Sequence, residues 1–98
     1  MKEELAEILA LHALGFVAGD EDILTAYLRL SGMSLENLKK DAGNKEVLGS
    51  ILDFLLQNEK RLLEFCQTEY CRTALIQPEA LAKARRHFPG GDEIAYST

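Results

Sequence analysis

The chain has no tryptophan, two prolines and two cysteines among its 98 residues. Two cysteines cannot build the disulfide framework by which small secreted scaffolds make up for a thin core, so folding has to come from apolar burial. Basic charge is also short. Eleven Lys and Arg face sixteen Asp and Glu, a formal −5, and such a field repels phosphate polymers and anionic lipid. Long apolar runs are missing as well: the longest uncharged stretch, Ile8 to Gly19, falls well below the roughly 20 residues that cross a bilayer. Met1-Lys2-Glu3-Glu4 lacks the basic start and cleavage site of a signal peptide. These absences point to a cytoplasmic protein with no membrane partner. The only candidate strand, Arg72 to Gln77, would find no second strand to pair with.

With 47% hydrophobic and 28% charged residues, the chain has the composition of one folded domain. Helix punctuation divides it. Gly19-Asp20-Glu21-Asp22 ends a first helix and starts a second, which carries Ile23, Leu24, Tyr27, Leu28 and Leu30 and stops at Gly32. Ser34 caps a short helix with Leu35 and Leu38, Asn44 starts an apolar one from Val47 to Leu56, and Asn58 caps the next through Phe65 and Cys66. Short polar side chains accept bonds from the free N–H groups of a first turn, and glycine permits the left-handed exit. Pro78 opens a last helix ending at Pro89-Gly90-Gly91. The segment from Arg72 to Gln77 carries no clear period.

The fold class expected is therefore all-α: a compact five- or six-helix bundle over residues 1–91, with a flexible tail over 92–98. Asp20-Glu21 with Leu24, Tyr27 and Ser34-Leu-Glu36 parallels Asn58-Glu59 with Leu62, Phe65 and Gln77-Pro-Glu79. That parallel implies two pseudo-repeated helical hairpins around a buried first helix. At 100° per residue, Leu5, Ile8, Leu9, His12 and Phe16 share one face of this helix, Ala6, Ala10, Ala13 and Val17 form an adjacent small stripe, and Leu11 and Leu14 lie opposite. A helix apolar on nearly all sides needs cover from its own chain or from a second copy.

Leu14-Gly-Phe-Val-Ala-Gly-Asp20, Ser31-Gly-Met-Ser-Leu-Glu36, Leu52-Asp-Phe-Leu-Leu56 and Pro78-Glu-Ala-Leu81 together resemble a bacterial family of small all-helical proteins of unknown function. The likeness spans about residues 8 to 88. It implies an architecture and carries over no catalytic residue, because its motifs are core and cap residues. The family pattern places a glycine turn before the Pro-Glu helix start. Tyr70 to Gln77 has none.

His12, Cys66 and Cys71 are the residues with the chemistry to act. His12 stands in an apolar stripe with no Ser, Cys or Asp beside it in sequence, which favours a core histidine bonded to a carbonyl or carboxylate over an acid/base residue. Cys66, Cys71, His12 and His87 make a formal two-Cys, two-His set without zinc-module spacing. Cys66 reads as a core hydrophobe and Cys71 as a partly exposed thiol. Acidic residues crowd the start: six acids and one lysine in residues 1–22 give −5, mostly where helix N-termini favour them. Lys83, Arg85, Arg86 and His87 gather at the other end, suiting a helix C-terminus or an acidic partner. Gly49 and Asp53 share the narrow polar strip of the Asn44 helix, where a mid-helix glycine suggests close approach of another element.

These features describe a non-catalytic protein–protein interaction or assembly module with no metal or cofactor. Its candidate surface comprises Leu11, Leu14, Gly49, Asp53, Lys83, Arg85 and Arg86, and its candidate partner is a protein, a second copy among the possibilities. The alternative is a regulatory nucleic-acid binder using the basic last helix, which the acidic balance disfavours.

Overall fold

Short polar side chains set the helix starts. The structure, a computed structural model, describes residues 1–90, in which seven helices run α1 (Glu3–Ala18), α2 (Glu21–Ser31), α3 (Leu35–Lys40), α4 (Lys45–Leu56), α5 (Glu59–Cys66), α6 (Glu69–Ala74) and α7 (Pro78–Arg85). Asp20 accepts from the N–H of Asp22 at 2.9 Å and of Ile23 at 3.1 Å. Ser34 accepts from Asn37, Asn44 from Glu46 and Asn58 from Arg61. Each bond satisfies a donor that the first turn leaves free. Gly32 closes α2 with φ 74°, and Pro78 takes the first position of α7. The expected tail over 92–98, with Gly91, lies outside the described residues.

The all-helical bundle is as the punctuation implies, and α6 is the additional helix. It lies partly in the segment without a period, since six residues are too few to display one. It fills the longer connection within the second helical pair, between α5 and α7. Leu75 caps α6 in the left-handed region, φ 58°. This conformation is normally left to glycine, and it falls where the chain lacks the glycine turn.

Two central helices, α1 and α4, pack against each other, and α7 lies against both. Helix α2 covers α1 and α4, α5 leans on α4 and α7, and α6 packs on α5. The core is built from Ala6, Leu9, Ala10, Ala13 and Val17 of α1, with Leu48, Ile51, Leu52, Phe54 and Leu55 of α4. Tyr27, Leu38, Phe65, Cys71, Leu81, Ala84 and Phe88 complete it. Full burial of a large aliphatic or aromatic side chain stabilises by about 1.5–3 kcal/mol, so these residues dominate the gain on folding.

Helix α1 is central but not enclosed, which corrects the expectation of cover on nearly all sides. Its inner face is the alanine stripe with Leu9 and Val17, because small side chains let α4 and α7 approach closely. Leu5, Ile8 and Leu11 are 48%, 46% and 49% exposed, while Leu14 is half-buried against the core. The helices that pack most extensively on α1 are α4, α7 and α2, and they leave these three side chains half in water.

Candidate interaction surface

Helix geometry puts Leu5, Ile8 and Leu11 on successive turns of one outward face of α1, with Ile8 at its middle. Leu5 and His12 lie to one side of Ile8, Glu4 and Leu11 to the other. Gly15 leaves open space further along. The His12 ring lies flat on Tyr70 of α6, centroids 3.7 Å apart and planes within 4°. His12 is therefore an exposed, stacked residue, and the expectation of a buried, hydrogen-bonded histidine is corrected. The apolar body of the ring finds a flat partner at the bundle's edge.

Beside this face the charges are already arranged. Lys45 at the start of α4 lies 3.5 Å from Glu3 and 3.6 Å from Glu7, drawing both carboxylates to the far flank of α1. Glu4 stays at the near rim.

Gly49, Asp53 and Arg85 converge, but inward. The Arg85 Nε donates to Asp53 Oδ1 at 2.8 Å, and its Nη1 donates to the carbonyls of Phe88 at 3.3 Å and Pro89 at 3.0 Å. A Cβ on Gly49 would sit 3.0 Å from the Phe88 Cβ and 3.1 Å from Arg85 Nη1. The close approach expected at Gly49 is thus made by α7 and the turn after it. Arg85 is only 8% exposed, so Gly49 and Arg85 are removed from any docking surface, and Asp53 is half-buried as Arg85's partner. Lys83 and Arg86 remain exposed, on either side of the residue that the fold consumes.

A shallow groove of about 260 Å³ runs between α2 and α4, lined by Tyr27, Leu30, Ser31, Ser50, Asp53, Phe54 and Gln57. Tyr27, Ser31, Ser50 and Asp53 are already hydrogen-bonded within the protein. Tyr27 and Ser50 share a 2.6 Å hydrogen bond, and Ser50 also donates to the Val47 carbonyl. Arg61 covers Phe54 nearby, its guanidinium carbon 3.7 Å from the ring centroid. Its Nε is buried without a hydrogen-bond partner, and burial lowers its pKa.

The thiols exchange the places expected for them. Cys71 is fully buried and Cys66 half-buried, both unpaired. Burial, with smaller contributions from Cys71 and Glu79, pushes Cys66 up to about 11, and burial also raises Cys71. Neutral thiols are poor nucleophiles and poor metal ligands. Among the described residues no three His, Cys, Asp or Glu side chains form a metal-holding group, and no helix is long and apolar enough to cross a membrane.

A family model described as "Protein of unknown function (DUF3572)" matches residues 3–91. The chain belongs to that family. This DUF3572 domain includes every helix described above, so the exposed α1 face and the Asp53–Arg85 pair are both features of the matched region. No curated protein and no solved structure matches the chain.

Sequence reading named Leu11 but missed Leu5 and Ile8 as surface residues and Tyr70 as the partner of His12. The first two sit on the face that hydropathy assigns inward. Only the alanine stripe beside them, with its capacity for close packing, signalled which side would be used.

Proposed function

We propose that this DUF3572 chain is a small non-catalytic interaction module that binds a protein partner through the outward face of α1. The observation that carries this reading is the row Leu5, Ile8 and Leu11, each about half exposed on consecutive turns. Leaving such side chains half in water forgoes roughly 1 kcal/mol apiece, and polar residues there would cost the monomer nothing. Contiguous apolar surface of this kind is the usual mark of a contact site. The chemistry of the rest of the molecule supports a non-catalytic role: His12 is stacked on a tyrosine, and both thiols are held neutral. Two unpaired cysteines fit a reducing, cytoplasmic setting.

A photo-crosslinking amino acid placed at Leu11 in cells tests the reading, with the same group at exposed Lys60 of α5 as control. A covalent adduct of discrete mass is expected from position 11 and not from position 60. No adduct from position 11 overturns the proposal.

A further inference from the structure

We propose that Cys66 and Cys71 are a reversible dithiol–disulfide pair, oxidised by small-molecule disulfides, whose closure fastens α6 to the end of α5. This does not depend on what α1 binds. The two are the chain's only cysteines, and the α5–α6 corner brings them together. Cys66 is the last residue of α5 and Cys71 the third of α6. Between the helices Gln67 keeps nearly helical angles, φ −87° and ψ −8°, and Thr68 alone is extended, φ −65° and ψ 157°. A single extended residue between helical stretches turns the chain back sharply instead of carrying α6 away. Thr68 holds this corner: its N–H, at 3.0 Å, and its hydroxyl, at 2.7 Å, both donate to the Phe65 carbonyl. Both cysteines accordingly stand in the wall of one cavity of about 320 Å³ between α5, α6 and the start of α7. They are near enough to interact through space, since negative charge at Cys71 adds to the burial that raises Cys66.

The reaction is a two-electron exchange. Cys66, the more accessible thiol, attacks one sulfur of oxidised glutathione as its thiolate. A mixed disulfide forms, and one glutathione leaves and takes up the proton that Cys66 gave. The Cys71 thiolate then attacks the Cys66 sulfur and expels the second glutathione, which takes up the Cys71 proton. The dithiol is oxidised and the reagent reduced. Burial keeps both thiols protonated in the closed fold, so the pair reacts when α6 opens. That helix opens more readily than the central ones. It has six residues, ends on the exposed, left-handed Leu75 and packs chiefly on α5. The closed ring includes Tyr70, whose side chain lies on His12 at 3.7 Å, so oxidation also holds the edge of α1.

Equilibration of the full chain with mixtures of reduced and oxidised glutathione is the test, read by acid quenching, trypsin and mass spectrometry. Cleavage after Arg61 and Arg72 leaves both cysteines in the one peptide Leu62 to Arg72. This peptide should become lighter by two hydrogens, gain no glutathione, and regain its dithiol mass in excess dithiothreitol. The equilibrium constant for closure should be at least roughly tenfold larger in the native chain than in the same chain unfolded by urea, because a disulfide that fits the fold stabilises it by the same factor. Amide exchange over Glu69–Ala74 should slow by roughly tenfold or more on oxidation. In Cys71→Ala the reaction should stop at a glutathione adduct on Cys66. The comparison of native with urea-unfolded chain needs no substitution and stands even where that variant fails to fold. Three results overturn the proposal: a closure constant no larger in the native chain than in urea, cysteines that pair between chains rather than within one, or a disulfide that leaves α6 exchange unchanged.

Discussion

Arg85 reaches back over Gly49 to Asp53, its Nε 2.8 Å from the carboxylate oxygen Oδ1, and latches the end of α7 onto the middle of α4. The same guanidinium holds the Phe88 and Pro89 carbonyls, so one side chain ties helix, turn and neighbouring helix together. A nearly buried guanidinium is tolerable only with such partners, because desolvating an unpaired charge is costly.

The latch sets opposite expectations for two helical glycines. Gly49→Ala adds a Cβ 3.0 Å from the Phe88 Cβ, and overpacking of about 1–3 kcal/mol should outweigh the gain of ~1 kcal/mol in helix propensity. Gly15→Ala meets open space and should stabilise by about 0.5–1 kcal/mol. Asp53→Ala, which leaves Arg85 without its carboxylate, should cost about 1.5–3 kcal/mol. Urea denaturation of the three variants at one low concentration checks the signs and their order.

Leu75 offers a stabilising substitution. Its φ of 58° carries the steric cost of a left-handed side chain, about 1–2 kcal/mol, and the side chain is 79% exposed, so little packing repays it. Leu75→Gly removes that strain, partly offset by the freer unfolded chain, for an expected net gain of about 0.5–1 kcal/mol. Leu75→Ala retains the strained Cβ and should gain less. A thermal melt of both variants separates strain relief from loss of an exposed leucine.

Alkaline pH should loosen the α5–α6 corner. Cys66 is held up to about 11 against an ordinary 9.0, and Cys71 and Tyr70 are raised in the same direction, chiefly by burial. The folded state therefore keeps these protons longer than the unfolded one. Stability is unaffected by them below pH 9.0 and falls as pH rises toward about 11. Cys66→Ser should reduce that fall without changing stability at neutral pH by more than about 1 kcal/mol. Denaturation midpoints across the range provide the measurement. The native thiols should also alkylate slowly at neutral pH, Cys66 ahead of buried Cys71.

Caps were the most legible part of the fold. Asp20, Ser34, Asn44 and Asn58 each accept the backbone N–H that their position implies, and Gly32 and Pro78 stand at the predicted stop and start. Signals within three residues survive any tertiary arrangement. Helix α6 was not legible, since its six residues show no period and its end is a leucine where glycine is the usual marker. The cysteines changed places for the same reason: an angle extrapolated from α5 is meaningless once α6 starts anew after Thr68.

The candidate surface was half legible. Leu11 was marked as surplus apolar area, but Leu5 and Ile8 were placed with the inward-facing Leu9, and Gly49, Asp53 and Arg85 were assigned to a surface that their mutual contacts close. Hydropathy counts how much apolar area a helix has and is silent on which side another helix will choose.

By itself, then, the amino-acid order determined an all-helical chain, its cap positions, its acidic start and an α1 that is apolar on nearly all sides. Those properties depend on local backbone chemistry and on totals. Tertiary structure alone decided that the alanine stripe faces α4 and α7, that Arg85 turns in to Asp53, and that Leu5, Ile8 and Leu11 remain outside. Those outcomes depend on which faces pack most closely, a competition among distant segments that is settled only when all of them are in place.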